Sequence, residues 1–316
     1  MREVIRQAIR LEGSVALPGD KSVSHRALIF NAIARGRATV SNISPGADCV
    51  STLRCLRAMG ASIRPGGDDG AGFAIEGAGV RGIREPENVL NAGNSGTTMR
   101  LLAGLLAGQP FFSVLTGDRS LRSRPMDRVA KPLRLMGAQV QGRRDGSLAP
   151  LAIRGGHLKG IEYTLPVASA QVKSALLLAG LFAEGETVLH QPAPSRDHTE
   201  LMFHAMGARI VEDGLTVAVG PGELAAMDVV VPGDISAAAF WLVAGAVHPD
   251  ARIKILNVGV NPTRTGILEV LEMMGARLRL ENRRLAGGEP VADIAVESSE
   301  LRGVEVRGEI IPRIID

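Results

Sequence analysis

The sequence predicts an α/β fold made of copies of one supersecondary unit, because a short pattern returns four times. Met-Gly-Ala closes an amphipathic stretch each time, with the glycines at positions 60, 137, 207 and 275, which are 77, 70 and 68 residues apart. Each glycine directly follows the last apolar position of helical spacing, as is typical of a helix C-terminus. A period of this length indicates that a whole folding unit has been copied.

The segments between these glycines predict the other elements of the unit. A second, more apolar helix is expected upstream of each Met-Gly-Ala helix, at 26–35, 98–107, 172–183 and 237–247. A strand-like run separates the two helices of each unit, at 38–40, 111–115, 187–189 and 252–256, and paired strands follow. Each unit therefore reads helix, strand, helix and paired strands, and such units bury their apolar helices against one another.

Composition narrows the classes of function. The 316 residues are enough for two domains, and the formal net charge of +3 suits small anionic ligands. One Trp, one Tyr and the absence of a long basic run argue against nucleic acid.

Cys49 and Cys55 have a spacing that does not suit a disulfide, and no cysteine or histidine cluster predicts a metal. We find no secretory signal or membrane span, and we expect a cytoplasmic protein.

The first turns of the apolar helices carry small residues, hydroxyls, amides and cations. These positions include Lys21, Ser22, Arg26, Asn94, Gly96, Arg100, Ser169, Ala170 and Gln171, with a fourth helix entrance at 233–236. Free N–H groups and the helix dipole favour an anion at such a place. Several entrances facing one space predict a cleft for a substrate with more than one anionic group. Taken alone, Lys21-Ser22 is more typical of a capped surface helix with two solvated cations, and it is the return of the arrangement at other helices that favours a site.

Two loops and the last residues add candidates. Arg124 lies in the basic stretch 119–126, which could also be a solvated loop, and Arg196 lies in the matching stretch 195–200. In that second stretch Asp197 or Thr199 could serve only as an N-cap. A further helix entrance is predicted at 308–316, and it makes Asp316 the best candidate for a general base. No nucleophile elbow, Walker loop or Rossmann fingerprint is present.

Five stretches together resemble a known family. They are 18–26, 93–100, 124–126, 168–175 and 311–316, and they look like bacterial EPSP synthases, the 3-phosphoshikimate 1-carboxyvinyltransferases, over essentially the whole chain. The resemblance implies an α/β (α+β) fold with two domains, each of three βαβαββ copies in an inside-out α/β barrel. Residues 21–232 would form the complete three-unit domain. Residues 1–20 and 233–316 would form an incomplete partner domain with about one of its three units.

The resemblance also implies the reaction and the partners. Enolpyruvate would pass from phosphoenolpyruvate to the 5-hydroxyl of shikimate 3-phosphate, with release of phosphate, in the biosynthesis of chorismate and the aromatic amino acids. No metal or organic cofactor is implied. We expect a monomer whose partners are these two small molecules, with neither nucleic acid nor membrane involved.

Site residues follow by matching position. The resemblance assigns to shikimate 3-phosphate Lys21, Ser22, Arg26, Ser169, Ala170, Gln171, Ser195, Arg196 and Asp316. It assigns to phosphoenolpyruvate Lys21, Asn94, Gly96, Arg124 and Gln171, with Arg100 nearby. Asp316 would take the proton from the attacking hydroxyl, and Lys21 would assist proton transfer and stabilise charge on the phosphate. Cations around two anionic substrates at a dry site fit electrostatic catalysis.

One departure and two alternatives belong with this hypothesis. Family members continue for on the order of one hundred residues past Asp316, about one and a half of the repeat units. The chain would then be a fragment or a truncated protein, and we expect poor turnover from it alone.

UDP-N-acetylglucosamine enolpyruvyl transferase shares the fold and the donor, but its loop needs a Cys that 119–124 lacks. A catalytically dead anion-binding fragment is the other alternative.

Overall fold

The computed structural model describes residues 8–66 and 72–315. Its α-helices are α1 (Lys21–Ile33), α2 (Ala47–Ala58), α3 (Gly96–Ala107), α4 (Asp127–Leu135), α5 (Ala170–Gly180), α6 (His198–Ala205), α7 (Ile235–Val247), α8 (Gly266–Met273) and α9 (Ile311–Ile314). Single 3₁₀ turns occur at Leu121–Ser123 and Gly308–Ile310. No helix in the described ranges is both long and apolar enough to span a bilayer.

The strands are shorter and alternate with these helices. They are β1 (Leu11–Ala16), β2 (Arg35–Ser41), β3 (Ser62–Pro65), β4 (Phe73–Ala78), β5 (Leu90–Asn91), β6 (Phe112–Thr116), β7 (Gln139–Arg143), β8 (Leu148–Arg154), β9 (Leu158–Lys159), β10 (Glu162–Thr164), β11 (Ala183–Glu184), β12 (Thr187–His190), β13 (Ile210–Asp213), β14 (Thr216–Val219), β15 (Val229–Val230), β16 (Ala251–Gly259), β17 (Arg277–Ala286) and β18 (Glu289–Glu297). The alternation confirms the predicted α/β class.

Among the described strands, four sheets have the same order and direction. They are β15-β2-β4-β3, β5-β6-β8-β7, β10-β12-β14-β13 and β1-β16-β18-β17. In each sheet the first two strands are parallel and the other neighbours are antiparallel. Each sheet with its two helices is one βαβαββ unit, and the repeat read from the Met-Gly-Ala pattern is confirmed.

The chain separates into two compact units. One contains Lys21–Val231, and the other contains Met1–Asp20 with Pro232–Asp316. The Lys21–Val231 unit holds three of the four sheets, and the last strand of that unit, β15, completes the first sheet by pairing with β2. The second unit holds the β1-β16-β18-β17 sheet, with β1 supplied from the N-terminal side.

The four Met-Gly-Ala segments are helix C-caps of one type. Gly60, Gly137, Gly207 and Gly275 all have positive φ, between 80° and 111°. In the first copy, the Gly60 N–H donates to the Arg57 carbonyl, and the Ala61 N–H donates to the Leu56 carbonyl. The other three copies repeat both bonds. This is the Schellman arrangement, in which glycine takes the left-handed conformation and two helix-end carbonyls are satisfied.

The core of the Lys21–Val231 unit is formed by apolar helices. Every residue of α1 from Val23 to Ile33 is buried, and α3 and α5 are buried over almost their whole lengths. Helices α3 and α5 pack closely because Gly104 has no side chain, and a Cβ built there would lie 2.1 Å from the Ala175 carbonyl oxygen. A helix that is apolar on all sides is buried among its neighbours, and a glycine at the contact lets two helix backbones approach closely.

The second unit has a smaller core. Helix α7 packs one side against the β16 and β18 strands through Ile235, Ala238, Leu242 and Ala246. Its other side leaves large apolar side chains exposed, namely Phe240, Trp241, Val243 and Val247. Apolar helices are therefore covered on almost all sides in the Lys21–Val231 unit, whereas α7 is covered on one side in the second unit.

Element boundaries differ from the sequence-based expectation at the helix starts. The apolar helices begin two to five residues earlier than expected, so α1 starts at Lys21 instead of Arg26. Arg35, predicted to end the first helix, begins β2. The apolar periodicity starts late in α1, α3 and α5 because their first turns contain polar residues, several of which, such as Ser24 and Thr98, are nevertheless buried.

Candidate functional site

The entrance of α3 is built by a capping serine and by contacts with α5. Ser95 is the N-cap, and its Oγ accepts from the Thr98 N–H at 3.0 Å. In the second turn of α3, Arg100 NH1 donates to Gln171 Oε1 on α5 at 2.5 Å, and Gln171 Nε2 donates to Thr97 Oγ1 in the first turn of α3 at 2.9 Å. The side chain of Gln171 therefore joins the first turns of both helices.

The loop after β6 brings a second arginine to the same entrance. Arg124 NH2 donates to Asn94 Oδ1 at 2.8 Å, and Asn94 Nδ2 donates to Asp118 Oδ2 at 2.6 Å. The Leu121 N–H donates to Asp118 Oδ1 at 2.7 Å. The Leu121 N–H and the Asn94 amide lower the pKa of the Asp118 carboxyl group. Asp118 thus fixes the start of the 3₁₀ turn that carries Arg124.

Gly96 lies beside both guanidinium groups. A Cβ built at Gly96 would lie 2.9 Å from Arg100 NH1 and 3.3 Å from Arg124 NH1. The absence of a side chain therefore leaves both groups next to the helix backbone. Burial lowers the pKa of Arg100, and the positive charges of Arg124 and Arg128 lower it further. The entrance of α3 is consequently a concentrated positive site, which an anion would stabilise.

Arg26 joins α1 to the helices of the third repeat. Its Nε donates to Thr199 Oγ1 on α6 at 2.7 Å, and its NH2 donates to Ser174 Oγ on α5 at 2.6 Å. Its NH1 donates to the Ser22 carbonyl at 2.9 Å, and only 3% of the residue is exposed. Arg26 is therefore a buried cation, and the alternative of a solvated cation on a surface helix is wrong for this residue.

Lys21 is exposed at the start of α1 and forms an ion pair with Asp48 on α2. The backbone carbonyl of Asp48 accepts from Thr98 Oγ1 at 3.3 Å. Thr98 Oγ1 is also 2.7 Å from Thr52 Oγ1, which in turn lies 2.7 Å from His25 Nδ1. A buried chain of polar contacts therefore links the entrances of α1 and α3 through α2.

The entrance of α5 lies next to the loop that precedes α6. Ser169 is the N-cap of α5, with its Oγ 3.5 Å from the Val172 N–H. Ser169, Ala170, Gln171, Ser195 and Arg196 are all partly exposed. In the loop, Ser195 Oγ donates to Gln191 Oε1 at 2.6 Å. Two groups of candidates that are separate in sequence therefore flank one stretch of polar surface.

A buried ion pair connects these two segments. Lys173 Nζ lies 2.5 Å from Glu200 Oε1, and each side chain is only 1% exposed. Lys173 Nζ also donates to the Ser195 carbonyl at 3.4 Å. Burial raises the pKa of Glu200, and the Lys173 charge and hydrogen bond oppose that shift.

The stretch 195–200 is not entirely a loop. Helix α6 starts at His198, so Thr199 and Glu200 belong to its first turn. Asp197 occupies the N-cap position, but its side chain makes no capping hydrogen bond, and Thr199 instead contacts Arg26 and Ser174. Asp197 is therefore the N-cap of α6 by position, without a capping hydrogen bond, and the N-cap alternative is wrong for Thr199.

The fourth entrance, at α7, has the opposite charge balance. Asp234 is its N-cap and accepts from the Ser236 N–H at 2.9 Å. Buried Arg264 donates to Asp20 Oδ2 at 2.8 Å, to Asp234 Oδ1 at 3.1 Å and to Ser236 Oγ at 2.8 Å. Two carboxylates surround one guanidinium here, so this entrance does not resemble an anion site.

The sequence interpretation missed several partners of the candidate residues. Asp48, Asp118, Lys173 and Glu200 all contact candidate residues or their neighbours. Asp48 and Asp118 lie on other elements, and no local spacing pairs them with Lys21 or Asn94. Glu200 stands seven residues before its Met-Gly-Ala glycine, where the other three copies have Leu53, Ala130 and Leu268, and this departure from the repeat was visible in the sequence.

The last candidate cannot be located. Asp316 lies outside the described residues, and the helix before it, α9, is a single turn. Within residues 8–66 and 72–315, no three His, Cys, Asp or Glu side chains are close enough together to hold a metal ion.

Comparison with known proteins gives a consistent result. The family model described as EPSP synthase (3-phosphoshikimate 1-carboxyvinyltransferase) matches residues 5–316. A protein of that name from Geobacillus kaustophilus is 55% identical over 307 residues, which are 97% of this chain and 71% of the relative. A Bacillus cereus protein of the same name is 53% identical over the same shares of both chains.

Solved structures agree with the sequence relatives. The fold matches an EPSP synthase from Acinetobacter baumannii with a TM-score of 0.91 and 48% identity, covering 97% of this chain and 70% of that one. A second structure of the enzyme from this organism matches with a TM-score of 0.90. The family match over nearly the whole sequence and the relatives above 50% identity all indicate the same family. This chain belongs to the EPSP synthase family.

Proposed function

We propose that the entrances of α1, α3 and α5, with the loops that carry Arg124 and Ser195, form two neighbouring anion sites for the reaction of this family. That reaction transfers the enolpyruvyl group of phosphoenolpyruvate to the 5-hydroxyl of shikimate 3-phosphate. It releases phosphate and belongs to aromatic biosynthesis. Both substrates carry a phosphate and a carboxylate, so each needs a cationic site with hydrogen-bond donors.

The α3 entrance is the phosphoenolpyruvate site in this proposal. Arg124 and Arg100 supply positive charge on both sides of Gly96, and Asn94 orients Arg124 through the 2.8 Å hydrogen bond. An arginine can hold a phosphate or carboxylate with two parallel bonds. Gln171, at 2.5 Å from Arg100, lies at the boundary with the other site.

The α5 entrance and the neighbouring loop form the shikimate 3-phosphate site. Ser169 and the Ala170 backbone offer the donors of a helix N-terminus, and Ser195 and Arg196 add a hydroxyl and a guanidinium. Ser22 and Arg26 contribute from α1, where Arg26 is fixed by Ser174 and Thr199. Lys21 and Gln171 are shared by both substrates.

Proton transfer in this proposal uses two groups. Asp316 accepts the proton of the attacking 5-hydroxyl, and the Lys21 ammonium group supports proton transfer and stabilises the charge on the leaving phosphate. Both roles rest on the family resemblance. The position of Lys21 supports its part, because its ammonium group lies at the start of α1, where it forms an ion pair with Asp48 that an anionic ligand would compete for.

The single observation that carries the proposal is the side chain of Gln171. It receives a hydrogen bond from Arg100 and donates one to Thr97, so it connects the two anion sites at one point. A residue that reaches two substrates must lie between their sites. Gln171 satisfies that requirement without any rearrangement of α3 or α5.

Calorimetric titration of the chain with each substrate tests the proposal. We expect shikimate 3-phosphate to bind, and Arg124→Lys to weaken phosphoenolpyruvate binding about tenfold because the two-bond contact is lost. Shikimate 3-phosphate binding should change less than about twofold in that variant. Equal weakening of both ligands, or no binding of shikimate 3-phosphate to the unaltered chain, would contradict the arrangement.

We also infer a cytoplasmic, monomeric protein, since both substrates are phosphorylated metabolites and the site uses residues of one chain. Sedimentation velocity over a range of concentrations checks the monomer. A concentration-dependent shift to a dimer would contradict it.

A further inference from the structure

The two segments of the shikimate 3-phosphate site share one buried connection. Ser169, Ala170 and Gln171 lie in the first turn of α5, and Ser195 lies more than twenty residues later in the loop before α6. Lys173, one turn into α5, is the residue whose side chain reaches that loop. Its Nζ lies 3.4 Å from the Ser195 carbonyl oxygen and 2.5 Å from Glu200 Oε1.

The burial of this connection is unusual for charged groups. Lys173 and Glu200 are each only 1% exposed, and transfer of two charges from water to a protein interior is costly even when they are paired. Apolar residues at both positions would fill the same space without that cost. A buried ion pair is weak evidence for stability, so its position calls for a reason other than stability.

The contact with Ser195 supplies such a reason. Lys173 donates to the backbone carbonyl of the residue that bears a proposed phosphate ligand, while Ser195 Oγ is held by Gln191 at 2.6 Å. Both the backbone and the side chain of Ser195 are thus fixed by neighbours. Glu200 holds the Lys173 ammonium group from the first turn of α6, on the opposite side of the loop.

We propose that Lys173 is a positioning residue that fixes the loop at Ser195 and Arg196 against the entrance of α5, in the geometry that binds the 3-phosphate of shikimate 3-phosphate. This inference rests on the proposed function. Lys173 and Glu200 do not touch the ligand in this scheme. They fix the distance between the entrance of α5 and the loop at Ser195 and Arg196, which are the two segments that contact the ligand.

The test separates phosphate binding from folding. Lys173→Met alone leaves Glu200 buried without its partner and is expected to destabilise the fold strongly. The main variant is therefore the double change Lys173→Met and Glu200→Met, which leaves neither a buried charge nor an unpaired buried amide. We expect this variant to melt within a few degrees of the unaltered chain, since replacing a buried ion pair by apolar residues of similar volume is often neutral for stability.

Binding is measured by calorimetry with two ligands, shikimate 3-phosphate and shikimate, which lacks the phosphate. We expect the double variant to bind shikimate 3-phosphate about tenfold more weakly, the effect of losing one hydrogen bond to a charged group. Shikimate binding should stay within about twofold. Hydrogen exchange at the Ser195 and Arg196 amides should also become faster.

Glu200→Gln tests the two partners separately, because the amide keeps an oxygen beside the Lys173 amine, which keeps its bond to Ser195. It leaves the Lys173 charge buried beside a neutral partner, so we expect a lower melting temperature, and binding is measured well below it. Shikimate 3-phosphate binding should then weaken less than about threefold. The inference is overturned if the folded double variant binds shikimate 3-phosphate like the unaltered chain, or if both ligands weaken equally. Absence of binding by the unaltered chain would instead refute the proposed site itself, and with it the role of Lys173.

Discussion

Helices α3 and α7 occupy the same place in their repeats, yet their entrances differ in charge. Both begin at a capping side chain, Ser95 in one and Asp234 in the other. At α3, Arg100 and Arg124 stand beside Gly96, whereas at α7 the guanidinium of Arg264 is shared by Asp20 and Asp234. One supersecondary unit therefore presents two neighbouring guanidinium groups at one helix entrance and an internal ion-pair cluster at another.

The bodies of the two helices differ as well. Helix α3 is buried on almost all sides by its neighbours in the Lys21–Val231 unit, whereas α7 packs on its own sheet and leaves Phe240 and Val247 exposed among the described residues. The repeat thus fixes the contact of a helix with its sheet, but the contacts between repeats depend on the other copies present. Four predictions follow from this contrast, and they are ordered by expected effect.

The largest effect is expected for Phe30→Ala in α1. Phe30 is fully buried, with its ring centroid 4.7 Å from that of Phe203, and its loss should cost about 3–5 kcal/mol of unfolding free energy. Phe240→Ala in α7 is the matched control, because Phe240 is 80% exposed and should change stability by less than about 0.5 kcal/mol. Urea unfolding followed by circular dichroism measures both. Similar costs for the two would contradict the contrast.

A smaller loss is expected for Gly104→Ala, where α3 meets α5. The added Cβ would lie 2.1 Å from the Ala175 carbonyl oxygen, so the two helices must separate, at about 1–3 kcal/mol. Gly222→Ala is the control, because a Cβ there meets nothing within 4 Å. A melting temperature equal to that of the control would show that the crossing is looser than described.

Next comes Gly96→Ala at the α3 entrance. The new methyl group would contact Arg100 NH1 and Arg124 NH1, and both side chains would have to move away from the helix. We expect phosphoenolpyruvate to bind about tenfold more weakly, measured by calorimetry. Shikimate 3-phosphate is the internal control and should bind normally. Unchanged phosphoenolpyruvate binding would remove Gly96 from that site.

The smallest effect is expected for Asp48→Asn. Asp48 pairs with exposed Lys21, and exposed ion pairs contribute about 0–1 kcal/mol. Removing the carboxylate makes the α1 entrance more positive, so anionic ligands should bind about twofold more tightly at low salt and less so at high salt. Asp127→Asn, which removes the surface pair of Asp127 with Lys131, is the control. Weaker binding in Asp48→Asn would mean that Asp48 orients Lys21 for the ligand.

Local sequence rules were sufficient for the repeat and for the helix ends. The four glycines of Met-Gly-Ala predicted helix C-caps, and all four have positive φ with the same two hydrogen bonds. Such caps depend only on neighbouring residues, which is why a sequence pattern reveals them. The grouping of Asn94, Gly96, Arg124 and Gln171 also followed from the repeat, because equivalent helix entrances take equivalent places.

The sequence did not predict the contacts between residues that are far apart along the chain. The pairs Lys21–Asp48 and Lys173–Glu200 and the bonds of Arg26 to Ser174 and Thr199 join residues 27 or more positions apart. No spacing rule connects such residues, since their proximity depends on how the repeats pack. The helix starts were missed for another reason, because polar residues in a first turn interrupt the apolar periodicity even where they are buried, as Ser24 and Thr98 are.

The pairing of β15 with β2 sets the order in which the chain can fold during synthesis. Val229 aligns with Val40, so the first sheet lacks its parallel edge strand until a ribosome has added 189 further residues. Until then, β2 offers an open edge to other nascent segments. The other two sheets of the Lys21–Val231 unit take their parallel edge strands from nearby residues, so only the first sheet depends on this late strand. Slow decoding before codon 229 would prolong the interval in which the β2 edge is open to misassociation.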